Sequence, residues 1–138
     1  MAMRNILLDT NAYVAFKCGA PEAVEIIRYS PLIAISAIVL GELLGGFAIG
    51  TREAANRGEL ERFLAADRVR LLHVDSGTAE HYAAVYRELR RKGQPIPTND
   101  MWIAATALQH RLAVFSYDTH YRAVSGLVVG SRLGEFLF

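Results

Sequence analysis

The stretch ILLDTNAYVAF, Ile6 to Phe16, decides how the rest of the chain is read. Three apolar residues run into a carboxylate, Asp9, and an amphipathic segment starts straight after it. A short apolar run reads as a buried strand, and the longer period behind it reads as a helix. An aspartate at that junction is a good helix cap, favoured by about 1 kcal/mol, so capping alone accounts for it. The other reading is a functional charge at a strand end. That reading depends on whether other carboxylates are placed to meet it.

The same unit recurs along the chain. Apolar runs at Ile6–Leu8, Leu32–Ile35, Val69–His73, Ala113–Ser116 and Leu127–Val129 predict strands. Helical periods cover Ala12–Lys17 and Pro21–Tyr29, broken at Gly19, and then Ala37–Ile49 between a Ser36 cap and Gly50. Further helices are predicted over Arg52–Ala65, Gly77–Lys92 and Asn99–His110, with a short one at Thr119–Val124. In Gly77–Lys92 the apolar positions are Ala79, Tyr82, Ala83, Tyr86 and Leu89. Strands alternating with helices imply parallel pairing and a three-layer α/β/α sandwich. Ligands of such sheets bind beyond the carboxyl ends of the strands. Asp9 lies at one of those ends, and Asp118 just past another.

Composition bounds the possibilities. The 138 residues fit one domain, 1–138, and 52% hydrophobic with 21% charged residues excludes a disordered tail. The longest apolar run, AIVLGELLGGFAIG, is interrupted by Glu42 and glycines, so no membrane span is expected. No signal-peptide pattern opens the chain, and Cys18 is the one cysteine, so a cytoplasmic protein without disulfides or a zinc cluster is expected. A net charge of +1 gives no bulk signal for nucleic acid.

Four carboxylates carry the functional argument. Asp9, Asp100 in PTNDMWIAA and Asp118 in FSYDTHY each fall at the head of a helical segment, where capping explains any one of them. Glu42 is different. It interrupts a helix apolar on nearly every face, and no Lys or Arg stands three or four residues away to pair with it. It points either to solvent along a narrow stripe or into a polar site. Four converging carboxylates repel one another and raise each other's pKa. A hard divalent cation, Mg²⁺ or Mn²⁺, relieves that repulsion through oxygen ligands and suits phosphoryl chemistry. Around these acids, Asn11 caps a helix or bonds a carboxylate, and Ser116 and Thr10 read as turn hydroxyls. His120 is placed to face the site, while His73, His81 and His110 read as surface or structural. Tyr82 and Tyr86 read as core rather than as a base-stacking platform.

Taken together, LLDTN, ISAIVLGEL, NDMWIAATAL and VFSYDTHYRAVSGLVV resemble the PIN domain, and more narrowly the VapC-type ribonuclease toxins of toxin–antitoxin systems. The resemblance covers nearly the whole chain. It implies a parallel sheet in the order 3-2-1-4-5 and metal-dependent endonucleolytic cleavage of RNA. It places the acidic quartet on Asp9, Glu42, Asp100 and Asp118, with Asn11 and Ser116 in supporting positions. Asp9, Asp100 and Asp118 would hold Mg²⁺ or Mn²⁺, and Glu42 would orient or deprotonate water. Arg87, Arg90, Arg91 and Lys92 are candidates for phosphate contact, or else a solvated helix end favoured by the macrodipole. A homodimer and an antitoxin partner are implied; apolar surface on Ala37–Ile49 and in the tail LGEFLF agrees with an interface. Gly41 and Tyr117 depart from the usual pattern and bear on substrate fit.

Other classes fit less well. A haloacid-dehalogenase-like phosphatase needs a second acid where Asn11 stands, and a receiver-like domain needs a mid-chain phosphoacceptor Asp after a strand. A housekeeping RNA-processing nuclease without an antitoxin, or a non-enzymatic interaction module whose four acids are only caps, stays open at this level.

Overall fold

The computed structural model describes residues 1–138. Five parallel strands form one sheet in the order β3-β2-β1-β4-β5: β1 Ile6–Leu8, β2 Ile33–Ser36, β3 Val69–Leu72, β4 Ala113–Phe115 and β5 Val129–Gly130. Six α-helices connect them: α1 Thr10–Lys17, α2 Pro21–Tyr29, α3 Ala37–Ile49, α4 Glu53–Leu64, α5 Ser76–Lys92 and α6 Thr98–His110. A 3₁₀ helix, Thr119–Ala123, follows β4, and another, Leu133–Phe136, follows β5.

The centre of the sheet is apolar for a topological reason. β1 is flanked by β2 and β4 and covered on both faces, so Ile6, Leu7 and Leu8 are all fully buried. β2 is buried at every position too. The edge strand β3 alternates, with Arg70 exposed. β5 starts two residues later than the apolar run suggests and ends one later. Its pairing reaches Gly130, whose carbonyl accepts a bond from the Ser116 N–H at 3.1 Å, so the ladder extends to the functional edge.

Three expectations are corrected. Glu42 does not lie in a buried helix: α3 buries only Val39 and Leu43, and its glycines and Glu42 face outward. In α5 the buried stripe is Thr78, Val85 and Leu89, while Ala79, Ala83 and Tyr86 are exposed. Alanines are too small to set a helix face, and the stripe with the larger aliphatic side chains turned inward. Third, most of the tail is covered by its own chain. Phe136 is fully buried against Phe115 and Met3 bridges Leu137, whereas Phe138, beneath the Arg4 guanidinium, stays exposed. The exposed apolar surface that remains includes Ile49 at the end of α3.

Candidate active site

Asp9 leaves β1 with its N–H still bonded to the Phe115 carbonyl, 3.0 Å away, and its side chain caps α1. One carboxylate oxygen accepts the Thr10 N–H at 2.9 Å; the other accepts the Ser116 hydroxyl proton at 2.6 Å. The residue is only 5% exposed. Ser116 directly follows β4, so this bond joins the carboxyl ends of the two central strands. The Ser116 oxygen also accepts the Asp118 N–H at 3.0 Å, and Asn11 Oδ1 accepts the Tyr117 N–H at 3.1 Å. Asn11 and Ser116 therefore shape the loop that presents Asp118.

Asp100 sits in the first turn of α6 and Asp118 caps the 3₁₀ helix behind β4. The His120 ring lies between them, Nδ1 being 3.2 Å from Asp100 Oδ2 and 2.9 Å from Asp118 Oδ1. The three side chains offer ligand atoms all within 4.8 Å of one another. Glu42 stands at the rim, held on both oxygens by neighbours of the other acids. Thr10 Oγ1 donates to Oε1 at 2.6 Å, and Asn99 Nδ2 donates to Oε2 at 3.2 Å. It is thus both solvent-facing and anchored at the acidic edge, so the two sequence readings of Glu42 were each half right.

The electrostatics are those of a crowded acidic site. Burial raises the Asp9 carboxyl above the ordinary range, against the Ser116 and Thr10 bonds, and repulsion from Asp100 adds to it. Asp100 is also raised, first by burial, with the His120 bond opposing and the Asp118 charge reinforcing the shift. Tyr121 is fully buried and its hydroxyl has no hydrogen-bond partner, although it lies beside Asp9 and Asp100. Burial and those two charges push its pKa far up, so it is a neutral phenol at any physiological pH.

Asp100, Asp118 and the His120 ring converge, with Asp9 coupled to Asp100 through its charge, and such a carboxylate-rich group could hold a divalent cation. The repulsion between Asp9 and Asp100 and the orphaned Tyr121 hydroxyl both mark the site as electrostatically unsatisfied.

The basic residues do not join the acids. Lys92 Nζ bonds the Ala123 carbonyl at 2.9 Å and lies 3.4 Å from Glu88, so it clamps α5 to the loop behind the 3₁₀ helix. Arg87 and Arg91 line one cleft and Arg90 another. Sequence reasoning missed Tyr121, the grip of Thr10 and Asn99 on Glu42, and the Lys92 clamp. The NDM and DTHY contexts put Asn99 and Tyr121 one and three residues from site acids, but nothing in spacing shows where their polar atoms point.

A parallel sheet in this order, with acids at the carboxyl edge, defines a class, and the PIN domain pattern matches residues 6–127. The chain belongs to the PIN-domain family. Within that family it is similar to the ribonuclease VapC4 of Mycobacterium tuberculosis, 32% identical, with 94% of this chain and 98% of the relative covered. Its fold matches VapBC2 from Rickettsia felis, solved bound to a DNA fragment from the promoter, with TM-score 0.80 and 25% identity over 91% of this chain and 97% of that one. It also matches VapBC-5 of M. tuberculosis, described as a member of the VapBC family of toxin–antitoxin systems, with TM-score 0.71 and 26% identity over 92% and 96% of the two chains.

Proposed function

We propose that the chain is the endoribonuclease toxin of a toxin–antitoxin pair, using Mg²⁺ or Mn²⁺ to hydrolyse RNA phosphodiester bonds. The observation that carries this reading is the convergence of Asp100, Asp118 and His120 beside the strand end that bears Asp9, with Asp9 and Asp100 both raised in pKa by burial and by a neighbouring carboxylate. The VapC ribonuclease relatives supply the substrate class.

Asp9, Asp100 and Asp118 would hold the cation. When bound it neutralises the cluster, activates water and stabilises the leaving oxygen. Ser116 and Thr10 fix Asp9, so its carboxylate meets the substrate without reorganising. Tyr121 keeps a neutral, unpartnered hydroxyl beside Asp9 and Asp100. The His120 ring stands between Asp100 and Asp118, with Nδ1 within hydrogen-bond reach of both, and so fixes their spacing. Glu42, held by Thr10 and Asn99 yet open to solvent, orients the attacking water or takes its proton.

No helix of the chain is long and apolar enough to cross a membrane, and we place the protein in the cytoplasm. The partner is an antitoxin whose C-terminal segment folds on this surface and brings an Arg or Lys to the acids. The chain works as a homodimer, which light scattering measures directly; a monomer at micromolar concentration overturns that part.

The deciding experiment is cleavage of total RNA by purified protein. Cleavage appears with Mg²⁺ or Mn²⁺, stops with EDTA, and is lost in Asp100→Asn. Metal-independent cleavage, or full activity in that variant, overturns the assignment.

A further inference from the structure

The seam between α5 and α6 carries an aromatic ladder. Tyr82 stacks on Trp102 with ring centres 4.1 Å apart and planes at 23°, and Tyr86 follows at 6.3 Å and 27°. Tyr82 and Trp102 are half-buried and act as packing between the helices. Tyr86 is 45% exposed, which corrects its reading as core. It also walls a cleft of about 460 Å³, together with Arg90, Pro95, Ile96 and Met101. That volume is in the range of small-ligand sites.

We infer that the Tyr86 cleft is a stacking subsite for an unpaired RNA base flanking the scissile phosphate. This rests on the ribonuclease reading for its substrate class. Charge selects the occupant. Arg87, Arg90 and Arg91 all lie in the last two turns of α5, and none of them makes a salt bridge. Arg90 lines the cleft beside the exposed ring and Arg87 and Arg91 line the neighbouring one, so the end of α5 presents the cations and the flat surface that a single-stranded polyanion with flat bases requires. An apolar protein segment would have no use for the three charges.

Position agrees. α5 runs antiparallel to α6, since Thr78 near its start bonds Gln109 near the α6 end. Its arginine-bearing turns therefore lie beside the first turn of α6, where Asp100 is. Met101 and Trp102 follow Asp100 directly, but the helical rotation turns them to other faces. The subsite is separated from the acids by about the width of one helix, roughly 10 Å. A base held there belongs to a neighbouring nucleotide rather than to the reacting one. Stacking tolerates any base, so the subsite contributes affinity and registers the strand without reading its sequence.

The test is binding in EDTA, so that nothing is cleaved, of a short single-stranded RNA carrying 2-aminopurine at successive positions. At one position the wild type quenches the fluorophore. Tyr86→Phe keeps the quench and the affinity. Tyr86→Ala loses the quench and binds roughly tenfold more weakly. An abasic nucleotide at that position weakens wild-type binding equally, and adding Tyr86→Ala then costs nothing more. Unchanged affinity in Tyr86→Ala, or an undiminished loss on the abasic strand, overturns the subsite. So does a shift from dimer to monomer in Tyr86→Ala with RNA binding intact, which assigns the ring to a second copy of the chain. Melting curves confirm that both variants are folded. Base-dependent binding without cleavage sinks the nuclease reading alone; cleavage with base-independent binding sinks the subsite alone.

Discussion

Asp9 and Asp75 each cap a helix, and each accepts a bond from a first-turn N–H and from a side chain carried by another element. Asp75 Oδ1 takes the Thr78 N–H at 3.0 Å and the Gln109 amide at 2.8 Å, and its carboxyl is held below the ordinary range by those bonds. Asp9 takes the Thr10 N–H and the Ser116 hydroxyl at similar or shorter distances, yet its carboxyl is raised. The difference lies in water and neighbours. Asp75 is exposed and faces amides, whereas Asp9 is sealed behind the sheet edge with Asp100 and Tyr121. The helix α6 touches both, with Asp100 at its start and Gln109 at its end. The same local motif is thus a stabilising device at one end of α6, and at the other a charge that needs a cation.

The largest effect that tests this contrast is on activity. Asp9→Asn and Asp100→Asn should abolish RNA cleavage, and Glu42→Gln should lower it by about 10²–10⁴-fold with metal binding retained. Asp75→Asn should leave single-turnover cleavage unchanged. Loss of activity in Asp75→Asn would make the two caps equivalent and end the comparison.

A smaller effect concerns Tyr121. Tyr121→Phe removes a buried hydroxyl that has no hydrogen-bond partner, so folding in the absence of added metal should be unharmed or improved. Loss of the neutral phenol beside Asp9 and Asp100 should weaken Mn²⁺ binding by roughly 10–100-fold, read by calorimetry. Unchanged Mn²⁺ affinity would show that the phenol only fills space.

The smallest effects are on stability, and their signs oppose. Asp100 has a folded pKa above its unfolded value, so its contribution is present below the ordinary carboxylate range and lost as pH rises through the folded value. Asp75 has a depressed folded pKa, so its contribution is present above the unfolded value and lost as pH falls through the folded one. In metal-free protein at neutral pH, Asp100→Asn should raise the melting temperature, on the order of a few degrees. Asp75→Ala should lower it. The Asp100→Asn gain should shrink on acidification and vanish when saturating Mn²⁺ stabilises the wild type. Calorimetric scans across pH, with and without metal, measure all of these; equal slopes for the two variants would refute the electrostatic contrast.

Sequence alone determined the layer architecture and the residues at the strand ends. α2 and α3 run from Pro21 to Tyr29 and from Ala37 to Ile49, the bounds that local period, Pro21 and the Ser36 cap predict. Strands β1 and β4 end just before Asp9 and Ser116 because an apolar run stops where the chain leaves the core, and that is visible in the letters. Tertiary structure decided what those acids mean. The exposure of Glu42, the inward stripe Thr78–Val85–Leu89 and the outward Tyr86 depend on how α3 and α5 roll against their neighbours, which one helix's period leaves free. The Ser116–Asp9 bond joins residues 107 positions apart, and the Asn99–Glu42 bond joins residues 57 apart. Capping is a local interaction that four consecutive residues specify. Desolvation and charge repulsion depend on distance in space, and only the packed sheet brings these carboxylates close enough for either to act.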